Sequence, residues 1–184
     1  MNFISTKGTS ITSIEEALMS GTSEDGGLYM PESIPKINIE ELMTIDNYQE
    51  FSYQLLSHFF KDSSLEDDLK DIVNQAFNFP VVSKEYNEDE AQYSVLELFH
   101  GPTLAFKDFG ARFMARCMES FMDSCNRELN ILVATSGDTG SAVANGFYDV
   151  KGINVVILYP KGKVSPIQEK QLTTLDKNIF ALEI

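Results

Sequence analysis

Apolar residues in the first hundred positions fall mainly at helical intervals. Ser13, with Glu16 three residues on and Ala17-Leu18 following, is a capping-box pattern, and Gly21 can close that short helix. Phe51, Leu55 and Phe59 place one stripe on a helix over residues 47–60. A further helix is expected from Ser64 to Phe77, with Leu65, Leu69, Ile72, Val73, Ala76 and Phe77 turned inward, and Asn78-Phe79-Pro80 breaks it. Glu24-Asp25-Gly26-Gly27 is a turn before the apolar run Leu28-Tyr29-Met30-Pro31. Residues 84–92 are polar and acidic and read as a linker.

From Tyr93 the pattern changes. Ser94–Phe99 reads as a strand, His100–Thr103 as a loop, and residues 107–125 as a helix with Phe109, Phe113, Cys117, Phe121 and Cys125 at four-residue steps. Ile131–Thr135 and Asn154–Tyr159 are buried-type strands, separated by a glycine-containing turn and a helix through Ala142-Val143-Ala144. Ser165-Pro166-Ile167-Gln168 combines a capping serine, a first-turn proline and a capping-box glutamine, so another helix opens there. Asn178–Ile184 is one more strand. The expected class is α/β: an incomplete parallel sheet with flanking helices, after a mainly helical N-terminal region. The expected division is 1–92 and 93–184. The sequence stops on a strand, so a truncated sheet with an unfinished, self-pairing edge is expected.

Composition narrows the function classes. Of 184 residues 43% are hydrophobic and 23% charged, ordinary for a globular protein, with no stretch long enough to span a membrane and no signal-peptide pattern. Cys117 and Cys125 stand about two helical turns apart, too far for a disulfide, and imply a reducing, cytoplasmic setting. With His58 and His100 they share no metal-ligand spacing, so no metal is expected. The net charge of −14 is unevenly placed: residues 1–100 hold 5 Lys/Arg against 19 Asp/Glu, residues 101–184 hold 9 against 9. Such a chain repels nucleic acid, and the neutral half is where an anionic small ligand would bind.

Two segments carry chemistry. His100–Gly110 puts Lys107 at a helix start, where the dipole disfavours an ammonium ion, among Leu104, Ala105, Phe106 and Phe109, whose apolar setting disfavours it further. Both effects favour the free amine that imine formation needs. The plain alternative is a surface lysine near a helix start. Ser136-Gly137-Asp138-Thr139-Gly140, between a strand and a helix, lets the amides of Gly137 and Gly140 converge on an anion, with hydroxyls from Ser136 and Thr139. It is neither a P-loop nor a dinucleotide fingerprint. The alternative there is a turn that only caps a helix.

His100–Arg112 and Ala134–Gly140 resemble the signature segments of the threonine synthase family, one of the fold-type-II pyridoxal-phosphate enzymes. Ser5–Gly8, Asp25–Glu32 and Ile157–Pro166 are similar to its microbial form. The resemblance implies that Lys107 forms the Schiff base with pyridoxal 5'-phosphate and that Ser136, Gly137, Thr139 and Gly140 hold the substrate carboxylate. It places Asp138 where sister enzymes have an asparagine facing the cofactor's ring hydroxyl. Arg112, Lys161 and Lys163 are basic groups for a substrate phosphate, with solvated surface charge favoured for the last two. The implied reaction is a lyase step taking O-phosphohomoserine and water to L-threonine and phosphate, in a monomer or homodimer. No second glycine-rich loop follows Gly140, so this piece by itself is expected to lack the cofactor-phosphate loop and to be inactive. Another lyase of the same fold type, a dehydratase or sulfhydrylase, and a non-catalytic module remain as alternatives.

Overall fold

The computed structural model describes residues 1–8, 10–88, 91–123 and 128–184. The chain forms two compact units. One holds Met1–Gln75 and α5 (Lys107–Asp123) from Arg116 onward; the other holds Ala76–Ala115 and the chain from β6 (Leu129–Ala134) to Ile184.

The first unit begins with strands that helical periodicity does not announce. β1 (Phe3–Ser5) lies between β2 (Ile11–Thr12) and β3 (Tyr29–Pro31), antiparallel to both, with Ile4 opposite Ile11 and Met30. Strands of two and three residues are too short to alternate visibly. Asp25 fixes the junction: its Oδ1 accepts from the Ser5 hydroxyl at 2.7 Å and from the Gly27 amide at 2.8 Å. These bonds, the Ser5 one first, hold the Asp25 carboxyl below its ordinary range. A side chain at Gly27 would start 2.2 Å from Ser5 Oγ, so only glycine fits.

α1 (Ile14–Ser20) is capped by Ser13, whose side chain accepts from the Glu16 amide, and ends at Gly21 with φ of 69°. After α2 (Ile39–Leu42), α3 (Tyr48–Phe60) is capped by Asn47, which accepts from the Glu50 amide at 2.8 Å. α4 covers Leu69–Ala76, shorter than the expected 64–77. Ser64 gives both its amide and its hydroxyl to Glu15, at 2.6 and 2.8 Å, and the chain from Ser63 to Leu69 proceeds by three-residue turns instead. Leu65, Leu69, Ile72 and Val73 are buried as expected.

In the second unit the expected linker is a hairpin. β4 (Val82–Glu88) pairs antiparallel with β5 (Ala91–Glu97), Tyr86 opposite Tyr93. Polar residues mask it because β5 is exposed along every position but Glu97, so no buried face imposes alternation. α5 follows the loop after β5. Its innermost line is Ala111, Ala115, Met118 and Met122 together with Cys117, rather than the phenylalanine row alone. Cys125 lies outside the described residues.

β6, β7 (Ile153–Tyr159) and β8 (Ile179–Glu183) form a parallel sheet in that order, connected through α6 (Asp138–Gly146) and α7 (Pro166–Thr173). α7 starts as its sequence specifies, with Ser165 accepting from the Gln168 amide and Pro166 in the first turn. Ile153, Val155, Ile157 and Ile179 are buried, as are Ala142, Ala144 and Phe147 of the α6 segment. The strand registers align Leu132, Val156 and Phe180 on the other face, where Leu132 and Phe180 are exposed. Among the described residues no helix is long and apolar enough to cross a membrane.

Candidate active site

Lys107 is the first residue of α5, half-buried, with Nζ 4.3 Å from the centroid of the Phe106 ring. The loop before it is tightly folded. Leu104 donates its amide to the Gly101 carbonyl and adopts φ of 61°, a left-handed conformation that a leucine takes only under constraint. The constraint is Asp108, fully buried: its Oδ2 accepts from the Thr103 amide at 2.9 Å and its Oδ1 from the Thr103 hydroxyl at 2.6 Å. A methyl group at Gly101 would meet Asp108 Oδ2 at 2.4 Å.

The apolar wall expected around Lys107 is only partly present. Ala105 is buried, and Phe109 packs on Phe77 and Phe79, with centroids at 6.1 and 4.9 Å. Leu104 and Phe106 are 70% and 60% exposed, so this side of the lysine is open to water or to a ligand. At the loop's origin Glu97 binds Lys84 Nζ at 2.6 Å and the His100 ring at 2.8 Å. The Lys84 contact first, and the His100 contact second, hold the Glu97 carboxyl below its ordinary range.

The Ser136–Gly140 loop differs from the expected cradle in which amides point outward. Thr135 Oγ1 accepts from both the Gly137 amide at 3.2 Å and the Gly140 amide at 3.1 Å. These donors shape the loop instead of facing a ligand. The first-turn amides of Asp138 and Thr139 have no carbonyl four residues back within the helix. Ser136, Asp138 and Thr139 are exposed. Asp138 Oδ1 accepts from Gln168 Nε2 of α7 at 2.7 Å, and Gln168 in turn accepts from Ser165 Oγ at 2.9 Å. Thr135, Gln168 and Asp108 therefore shape the two candidate segments, and none of the three is among the site residues expected from the sequence. The capping-box glutamine at 168 was the one signal pointing to any of them.

Arg112 stands one turn and a residue beyond Lys107. Its guanidinium donates to the Ala76 carbonyl at 2.8 Å and to Asn78 Oδ1 at 2.9 Å, and lies over the Phe79 ring. Those bonds aim it along the Ala76–Phe79 segment. Lys161 and Lys163 are exposed, and Lys161 makes a long 3.9 Å ion pair with Glu183. Lys107 and the Ser136–Gly140 loop open two helices that touch: a side chain on Gly146 of α6 would meet the Ala111 carbonyl of α5 at 3.1 Å. That crossing lies about 6 Å along α5 from Lys107 and about 12 Å along α6 from Asp138, at a 1.5 Å rise per residue. Among the described residues no group of three or more His, Cys, Asp or Glu could hold a metal ion.

Known proteins resemble this chain along most of its length. The family model for the threonine synthase N terminus matches residues 2–77. The chain is 45% identical over 170 residues to threonine synthase of Haemophilus influenzae, covering 92% of this chain and 39% of that protein. It is 42% identical over 175 residues to the Escherichia coli enzyme, covering 94% and 40%. Among solved structures, pyridoxal-phosphate-bound threonine synthase from Brucella melitensis superposes with a TM-score of 0.87 at 33% identity, covering 100% of this chain and 41% of that one. Threonine synthase from Escherichia coli gives 0.85 at 39% identity, covering 100% and 42%. The chain thus spans about two-fifths of the length of these relatives.

Proposed function

From a chain similar along its length to the N-terminal portion of threonine synthases, we propose that the whole protein is a pyridoxal-phosphate-dependent lyase that converts O-phosphohomoserine and water to L-threonine and phosphate. The observation that carries the reading is the pairing of Lys107 and the Ser136–Gly140 loop at the starts of two helices that cross at Gly146 and Ala111.

The residues present fit two parts of the chemistry. Lys107 offers a half-buried amine on an aromatic ring, suited to holding the cofactor through its aldehyde carbon. The α6 N-terminus offers two first-turn amides and two hydroxyls to a substrate carboxylate. When bound, the cofactor's pyridine ring supplies the sink for electrons released at the substrate α-carbon. Lys107 Nζ would be the base for the substrate α-proton and would carry a proton to neighbouring carbons. Asp138, fixed by Gln168, can accept but not donate, so it suits a donor on the ligand. Arg112 is assigned to the substrate phosphate only if it leaves Ala76 and Asn78. The reaction is proposed to run in the cytoplasm.

The test uses the full-length gene product with added pyridoxal phosphate, borohydride reduction and peptide mapping. The expected result is one labelled lysine, Lys107, and no turnover in Lys107→Ala. Turnover retained in that variant, or a label fixed elsewhere, overturns the assignment.

A further inference from the structure

We propose that Asp108 is a positioning residue for Lys107, acting through Thr103 to set the backbone from which the lysine amine projects. The proposal rests on the reading of Lys107 given above. Asp108 is fully buried, yet no cation pairs with it among the described residues. Both its carboxylate oxygens go to a single residue five positions back. A buried carboxyl group is costly unless its hydrogen bonds are met, and here meeting them requires one loop shape.

That shape determines where Lys107 points. The two bonds pull Thr103 against the head of α5, and the missing side chain at Gly101 makes room for the carboxylate. The chain between Thr103 and Lys107 must then reverse within three residues. It does so through Leu104 at φ of 61° and through the Asp108 amide, which donates to the Ala105 carbonyl at 3.0 Å. A leucine holds that conformation only while its surroundings impose it. The first turn of a helix lacks intrahelical amide bonds and frays readily, and Lys107 occupies that turn. Without Asp108, Leu104 relaxes to negative φ and the first turn of α5 loosens with it. The lysine amine then samples many directions instead of one.

The experiment follows borohydride-fixed pyridoxal phosphate at Lys107 over time in the full-length protein, with the thermal midpoint of each variant. Asp108→Ala is expected to slow labelling at Lys107 on the order of tenfold or more, as loss of orientation does. Asp108→Asn keeps an acceptor for the Thr103 amide and should recover most of the rate. Thr103→Val removes the hydroxyl bond alone, falls between, and carries the test should Asp108→Ala fail to fold. The control is Asn178→Ala, which removes bonds from the Asn178 amide to the Phe147 and Ile153 carbonyls, both 2.8 Å, far from this loop in sequence. It should lower the thermal midpoint and leave the labelling rate unchanged. Wild-type labelling in folded Asp108→Ala or Thr103→Val, or equal slowing in Asn178→Ala, overturns the proposal while leaving Lys107 as the cofactor lysine. Absence of any label at Lys107 in the unmodified protein overturns the underlying reading instead.

Discussion

Gly140 is the position where the geometry of the Ser136–Gly140 loop can be tested by one methyl group. A Cβ there would lie 2.2 Å from Thr135 Cγ2 and 3.1 Å from Leu172 Cδ2, whereas carbon atoms settle at about 3.5–4.0 Å. More than an ångström of movement is needed. Thr135 is stiff at χ1, and turning it away breaks its Oγ1 bonds to the Gly137 and Gly140 amides, each contributing about 1 kcal/mol. Overpacking of this kind costs about 1–3 kcal/mol, offset by up to about 1 kcal/mol of helix propensity. Gly140→Ala should therefore destabilise by about 2 kcal/mol. Thr135→Ser keeps the hydroxyl, deletes the clashing methyl, and alone costs about 0.8 kcal/mol for one buried carbon. The double variant should be no less stable than Thr135→Ser, a coupling of about 2 kcal/mol. Urea unfolding followed by circular dichroism reads it, since the chain has no tryptophan. Additivity of the two changes within about 0.5 kcal/mol would refute the contact and the loop shape built on it.

Two further outcomes follow from ionisable groups. Glu97 has a carboxyl depressed by Lys84 and His100, so its stabilising contribution is present above the unfolded carboxyl pKa and is lost as pH falls through the folded value. Glu97→Gln should flatten the acid limb of a stability–pH curve, and an unchanged limb would contradict the pairing. Burial pushes the Cys117 thiol up to about 12, so iodoacetamide at mildly alkaline pH should leave Cys117 unmodified until urea unfolds the chain; rapid alkylation in the native state would contradict its burial.

The strands and helices written in local chemistry were legible before any coordinates. Ser13 and Ser165 cap helices with their own side chains, and the apolar run at 154–159 lies in a strand whose alternate residues are buried; the run at 131–135 reads as the same kind of strand, yet no residue of Leu129–Ala134 is buried. What escaped notice had its cause elsewhere in the chain. β1 and β3 exist because residues 3–5 meet residues 29–31, and neither stretch is long enough to carry a period. The resemblance blocks Ser5–Gly8 and Asp25–Glu32 turn out to be one structure, joined by the Ser5–Asp25 bond. The strand expected over 94–99 is the second half of β5, whereas β4 and the start of β5 fall in the stretch 84–92 that reads as a linker, because exposed strands place no demand on which residues alternate. α4 lost its first turn to Glu15, a partner 49 residues away.

Partners outside the segment also decide what the Ser136–Gly140 loop, the proposed carboxylate site, can do. Glycine spacing suggested that Gly137 and Gly140 give their amides to an anion, but spacing cannot reveal that Thr135, just before the loop, takes both. A threonine hydroxyl accepting two amides fixes the loop with no ligand present, so little ordering remains to be done when a carboxylate arrives. The donors left are the amides of Asp138 and Thr139, at the end of α6 where the helix dipole is concentrated. Asp138 is an acid in that same turn, and an unrestrained carboxylate there would compete with the incoming anion. The bond from Gln168 draws its Oδ1 toward α7, which would reconcile an acidic residue with the proposed anion site. A side chain on Gly137 would start 3.0 Å from the Gln168 amide nitrogen and so press on the group that draws Asp138 aside.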